Sequence, residues 1–165
     1  MRPEQYQNIY HWFIQRPRAY RLLEIATKGL PLLTAACYGV LLVWLALFAH
    51  GTPQVLLKAI GVPAVTLVVG SLIRRWVNAP RPYERGIEPL LHKETKGQSW
   101  PSRHALSAGV IAAVWLVLYP TMGTGVLLLA VGVCVTRVLA GVHSVWDVTA
   151  GLFFGLICGL TGMLG

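Results

Sequence analysis

Apolar residues run along this chain in long unbroken stretches. The stretch from Gly29 to Leu57 contains no Asp, Glu, Lys or Arg, and neither does Ala105 to Thr136 or Val148 to Gly165. Crossing the hydrocarbon layer of a bilayer takes about 20 such residues. In that medium every backbone polar group must be paired internally, so a span is either a helix or part of a closed barrel. Continuous rather than alternating hydrophobicity decides for helices. The pattern predicts five spans, at about Leu30–Phe48, Val55–Ile73, His104–Leu118, Gly125–Leu139 and Val145–Leu164. Turns are expected at His50-Gly51-Thr52-Pro53 and at Tyr119-Pro120-Thr121-Met122-Gly123, and Gly141 is placed to end the fourth span. Lys58, near the start of the second span, is long enough to snorkel to the headgroups.

Residues 5 to 27 read differently. Tyr6, Ile9, Tyr10, Trp12, Phe13, Leu22, Leu23 and Ile25 are mixed with Arg16, Arg18, Arg21 and Glu24, and Pro17 interrupts them. This predicts one or two amphipathic helices lying in the interface, too polar to span. Met1 to Lys28 has no apolar core and does not read as a cleavable signal. The expected fold class is all-α: a polytopic membrane helix bundle of about five transmembrane helices. A single domain, 1–165, would comprise an interfacial amphipathic segment, 1–28, and a transmembrane helical core, 29–165.

Composition sharpens the picture. Charged residues make up 12% of the chain, against roughly a quarter in ordinary soluble domains. The formal charge is +8, but the basic residues sit between apolar spans without an aromatic-interleaved groove. Nucleic acid is therefore not expected as a partner; phosphate-bearing lipids or an anionic membrane surface are. Positive-inside topology also accounts for the charge. Cys37, Cys134 and Cys158 all lie in apolar runs at spacings that fit no metal motif, and they read as small buried hydrophobes.

Chain direction locates the chemistry. The second span ends at Arg74 and the third begins at His104 on the same side, after the only long polar stretch. The fourth returns Arg137 to that side, and the fifth starts there with His143 and Asp147. Asp147 is the only aspartate and heads an apolar span, where an unpaired carboxylate is costly. It can accept from one nitrogen of His143, four residues earlier, and leave the other nitrogen free as nucleophile or base. A capping box with Ser144 also accounts for Asp147, and the two readings can coexist. Arg74, Arg81 and Arg137 are candidate phosphate ligands, while Arg75 beside them reads first as an interfacial anchor. Pro80 and Pro82 hold Arg81 in a stiff extended segment. Ser102 is a plausible N-cap whose neighbouring amides would favour an anion, with His104 beside it as a proton donor.

Taken together, Arg74-x6-Arg81-Pro82, Pro101-Ser102-Arg103-His104 and Thr136-Arg137-x5-His143-x3-Asp147 resemble the signature of the type 2 phosphatidic acid phosphatase superfamily. That signature reads Lys-x6-Arg-Pro, Pro-Ser-Gly-His and Ser-Arg-x5-His-x3-Asp. The resemblance covers residues 74 to 147 by motif and the second to fifth spans by architecture. Arg74 for Lys keeps the charge and Thr136 for Ser keeps the hydroxyl, whereas Arg103 places a bulky cation where the family has glycine.

The resemblance implies that His143 attacks phosphorus, that Asp147 orients it, and that His104 protonates the leaving oxygen and then activates water. It further implies that Arg74, Arg81, Ser102 and Arg137 hold the phosphoryl oxygens, with Arg103 available to a second phosphate. No metal or cofactor is expected: the remaining carboxylates, Glu4, Glu24, Glu84, Glu88 and Glu94, form no acidic cluster for magnesium. The expected substrate is a lipid phosphate or diphosphate, first a polyprenyl diphosphate such as undecaprenyl diphosphate, then phosphatidylglycerol phosphate or phosphatidate. A catalytically inactive lipid-binding protein is the competing reading from another class; apolar composition weighs against a soluble vanadium haloperoxidase. All of the 14 Lys and Arg residues except Lys58 fall on the catalytic side, which by the positive-inside rule points that face to the cytoplasm. Family substrates, mostly processed on the other side, point it outward, and the outward placement in the cell membrane is the one adopted.

Overall fold

Four helices in the computed structural model begin with a proline as their first residue, where its fixed φ suits the helix and its missing N–H costs nothing. The structure describes residues 3–48, 53–91 and 95–165. The helices are α1 (Pro3–Ile14), α2 (Pro17–Phe48), α3 (Pro53–Val77), α4 (Arg103–Leu118), α5 (Pro120–Leu139) and α6 (Val145–Leu164). A single 3-10 turn, Pro82–Arg85, lies in the polar connection between α3 and α4. No strand occurs among the described residues. The chain is a multi-pass helical membrane bundle.

Two boundaries differ from expectation. Pro17 interrupts the N-terminal helical run as expected, but the helix it starts continues without a break into the first span, 32 residues in all. Residues 17–28 are thus the first turns of the helix that carries that span. The expected turn after Tyr119 is also helical: Tyr119 alone connects α4 to α5, and Pro120 opens the new helix at once. Gly123 makes this tight hairpin possible, because a Cβ there would lie 2.5 Å from the backbone of Leu116. Gly141 follows α5 with φ +73, as the sequence implied for a helix stop. The turn expected at 50–53 falls largely outside the described residues.

The sequence predicts five spans. α2, α3, α5 and α6 are long and apolar enough to cross a membrane. α4 has 16 residues, about 24 Å of helix, and it occupies the centre. Its residues from Ala105 to Trp115 are buried almost without interruption, the pattern of a helix apolar all round and enclosed by others. α6 approaches it through Gly151, Gly155 and Gly159, one residue per turn along one stripe. A Cβ on Gly151 would meet the Ser102 carbonyl at 2.6 Å, and one on Gly109 of α4 would meet the Leu152 carbonyl at 2.5 Å. Small residues at such a seam let two backbones touch where lipid offers no hydrophobic drive for association.

α1 docks beneath the catalytic end. Tyr6 is buried rather than interfacial; its hydroxyl donates to the Leu139 carbonyl at 3.2 Å and accepts from the Leu90 amide at 3.3 Å. Burial pushes its pKa up to about 12. Tyr20, in the first turns of α2, donates to the Leu90 carbonyl at 3.0 Å. The N-terminal segment is therefore stitched to the polar connection and to the end of α5.

Candidate active site

The convergence expected from connectivity is present. α6 begins at a capping box in which the Ser144 hydroxyl accepts from the Asp147 amide at 3.2 Å and Asp147 Oδ2 accepts from the Ser144 amide at 2.7 Å. The same Oδ2 lies 3.6 Å from His143 Nδ1, longer than a hydrogen bond. The oxygen that caps α6 is thus also the one nearest the His143 ring. A third group joins them: Ser99, fully buried, donates to Oδ2 at 2.6 Å, and its hydroxyl oxygen sits 3.4 Å from His143 Nδ1. Ser99 was not legible in the sequence, because the polar connection delivers it across 48 residues; its only signal is adjacency to the Trp100-Pro101-Ser102 motif.

Asp147 also fixes α4 through its backbone, its carbonyl accepting from the Ser102 amide at 2.8 Å. Ser102 occupies the N-cap position of α4, yet its side chain makes no capping bond. Its hydroxyl is buried without a partner. So are Arg81 Nη1 and Arg137 Nε. Buried donors without partners are costly, and these three belong to residues expected to hold a phosphate. The arginines are otherwise anchored through carbonyls: Arg74 Nη1 to Pro101, Arg81 Nε to Gly97 at 3.0 Å and Arg137 Nη2 to Thr27 at 3.2 Å. Glu84 supports the Arg81 segment by accepting from the amides of Arg81 at 2.7 Å and Gly97 at 2.9 Å. The amides of Val142 and His143 return to the Arg137 carbonyl at 3.2 and 3.3 Å. Backbone and side-chain contacts thus tie the motifs to one another, Ser102 to Asp147 and His143 to Arg137.

Arg74 and Arg81 also line a cavity of about 330 Å³ with Arg75, Lys96 and Arg103. Among the described residues no carboxylate contributes to its lining. Arg103 is exposed there and forms no ion pair with Glu84 or Glu88; Glu94 lies outside the described residues. His104 lines a separate, largely apolar groove of about 230 Å³ with Pro31, Tyr38, Pro63 and Leu67. Arg137 faces a third cavity of about 390 Å³ with Tyr20, Glu24, Thr27 and Lys28. Trp76, Trp100 and Trp146 are all exposed.

Burial lowers the His143 pKa, more than Asp147 raises it, and the charges of Arg81 and Arg74 lower it further. A depressed pKa leaves the imidazole neutral, hence nucleophilic, to a lower pH than usual. The acid limb of kcat/KM is therefore expected below the ordinary histidine value of 6.5. A pH–rate profile of the purified protein checks this; an acid limb above 6.5 would contradict it.

Fold and site together define a helical membrane protein with a buried histidine–carboxylate pair at the bundle end that also carries the buried Arg74, Arg81 and Arg137. The chain belongs to the PAP2 superfamily, whose model matches residues 55–164. It is similar to a lipid A 1-phosphatase of Rhizobium johnstonii, 24% identical over 148 residues, covering 87% of this chain and 54% of the relative. The chain thus spans about half the length of that curated relative. Its fold is similar to the crystal structure of Aquifex aeolicus LpxE, with a TM-score of 0.70 over 87% of each chain at 23% identity. It also resembles a transmembrane PAP2-type phosphatidylglycerolphosphate phosphatase from Bacillus subtilis, with a TM-score of 0.63 at 25% identity, over 86% of this chain and 74% of the other.

Proposed function

We propose that this protein is a metal-independent lipid phosphatase working through a phosphohistidine, with a polyprenyl diphosphate such as undecaprenyl diphosphate as its preferred substrate. The observation that carries the phosphatase reading is the set of unpartnered buried donors, Arg81 Nη1, Ser102 Oγ and Arg137 Nε, on residues of the motifs that surround His143. With Nδ1 turned toward Asp147 and Ser99, Nε2 is the nitrogen that attacks phosphorus. The bond from phosphorus to the leaving oxygen breaks, and His104 supplies that oxygen with a proton. His104 then takes a proton from water, whose oxygen displaces His143 and releases phosphate. Arg74, Arg81, Ser102 and Arg137 stabilise the charge on the transferred group. Metal independence is supported by the donor set, since Asp147, the only aspartate, is engaged by Ser99, Ser144 and His143. The catalytic face is placed outside the cytoplasm, against the Lys and Arg bias.

The diphosphate preference rests on the basic cavity. Arg75, Lys96 and Arg103 adjoin Arg74 and Arg81 with no lining carboxylate among the described residues, an arrangement suited to a second phosphate. The names of the relatives supply the competing substrates, phosphatidylglycerol phosphate and lipid A. The test is phosphate release by the wild type and Arg103→Gly from a polyprenyl diphosphate and a lipid monophosphate, with and without EDTA. A charge-assisted contact contributes about 1.5–3 kcal/mol, so the variant should lose roughly tenfold to a hundredfold on the diphosphate alone. Equal effects on both substrates would remove the diphosphate preference, and abolition by EDTA would remove metal independence.

A further inference from the structure

Two bundle helices carry a proline in their interior, Pro31 in α2 and Pro63 in α3. Proline has no N–H, so the carbonyl four residues earlier loses its helical donor. In hydrocarbon such a carbonyl must find another partner. The carbonyl freed by Pro63 belongs to Ala59, and Tyr38 of α2 donates its hydroxyl to it at 2.9 Å. The carbonyl freed by Pro31 belongs to Thr27, and it accepts from Arg137 Nη2 at 3.2 Å. Both ties join two helices, α2 to α3 and α5 to α2. The second also holds a candidate phosphate ligand from 110 residues away.

We propose that Pro31 is a positioning residue for phosphoryl recognition: by withholding its N–H it keeps the Thr27 carbonyl available to fix the Arg137 guanidinium. This inference rests on the phosphatase reading above. Arg137 is buried and forms no ion pair among the described residues, so a carbonyl rather than a carboxylate restrains it. A neutral anchor suits a phosphate ligand, because a carboxylate would compete with the substrate for the same donors. Nε remains buried and unpartnered, a donor left for an anion. The Thr27 hydroxyl is not involved; it donates to the Leu23 carbonyl at 2.6 Å, within its own helix. The anchor is therefore a backbone group, and the residue that makes it available is Pro31. A flexible arginine fixed by one bond loses less freedom when it binds phosphate, which is the gain from preorganisation.

Pro31→Ala and Pro31→Gly both return an N–H to compete for the Thr27 carbonyl, although alanine and glycine differ widely in helix propensity. With the full-length protein in detergent, both variants are expected to raise the vanadate inhibition constant and the KM for a lipid phosphate about tenfold. The thermal midpoint of Pro31→Ala should hold or rise, because a helical hydrogen bond is restored. In an Arg137→Ala background, Pro31→Ala should have no further effect on either constant. Wild-type vanadate inhibition in both variants overturns the inference, as does a full additional loss in the Arg137→Ala background. Failure of both variants to fold also overturns it, since the proline would then act on the helix alone. A wild type that releases no phosphate sinks the phosphatase reading instead.

Discussion

Replacing His143 by alanine is expected to abolish turnover, by about four orders of magnitude or more, in a protein that still inserts and folds. A nucleophile that forms a covalent intermediate has no substitute once removed, and the groups that act with it lose their effect together. The fold should survive because the imidazole contributes little structure of its own. Its contact with Asp147 is 3.6 Å long, while Asp147 retains its bonds from Ser99 at 2.6 Å and from Ser144 at 2.7 Å. The backbone amide of residue 143 keeps the Arg137 carbonyl at 3.3 Å. Two measurements check the expectation: phosphate release from a lipid phosphate, and trapping of an acid-labile phosphoenzyme after rapid quenching. The wild type should give both and the variant neither. A phosphoenzyme that persisted in His143→Ala would move the nucleophile to another residue.

The membrane character and the gathering of the motifs at one end were legible because both follow from order along the chain. An apolar run long enough to cross fixes direction, and successive crossings decide which termini meet. Asp147 illustrates how local pattern and function overlap. Spacing to Ser144 predicts a cap and spacing to His143 predicts a neighbouring carboxylate, and one oxygen makes the cap and lies 3.6 Å from the imidazole. Contacts made across the fold left no such trace. Ser99 reaches Asp147, Tyr6 reaches Leu139 and Arg137 reaches Thr27 from 48, 133 and 110 residues away, and nothing in their neighbours announces the partner. The reach of the helix that Pro17 opens was not legible either. A proline breaks a helix or begins one, and Pro17 does both: α1 ends at Ile14, and α2 starts at Pro17 and runs on through the first apolar stretch. Ser102 takes the N-cap position its sequence predicts, while its hydroxyl makes no capping bond and has no partner.

Gly155 is expected to be the most sensitive position remote from the chemistry. It lies at the middle of the glycine stripe by which α6 touches α4. A Cβ built there would collide with the Leu106 carbonyl and approach the Val110 amide to 2.8 Å and the Gly109 carbonyl carbon to 3.2 Å. All three are backbone atoms of α4, so no side chain can turn aside, and α4 and α6 must separate. Overpacking of this kind costs about 1–3 kcal/mol, occasionally more. The catalytic consequence is larger, because the two helices carry opposite halves of the site. Ser102 and His104 ride on the start of α4, Asp147 on the start of α6, and one backbone bond of 2.8 Å from Ser102 to Asp147 registers them. A misplacement of about 1 Å between reacting groups lowers rates roughly a hundredfold. Gly155→Ala should therefore lose about two orders of magnitude in kcat with a lower thermal midpoint. Gly125→Ala is the matched control: it lies in α5 with nothing within 4 Å of its added carbon, and alanine is the better helix former. Its activity should stay at the wild-type level and its midpoint hold or rise. If Gly155→Ala matched that control in both measurements, the close α4–α6 approach would not be what holds the two halves of the site in register.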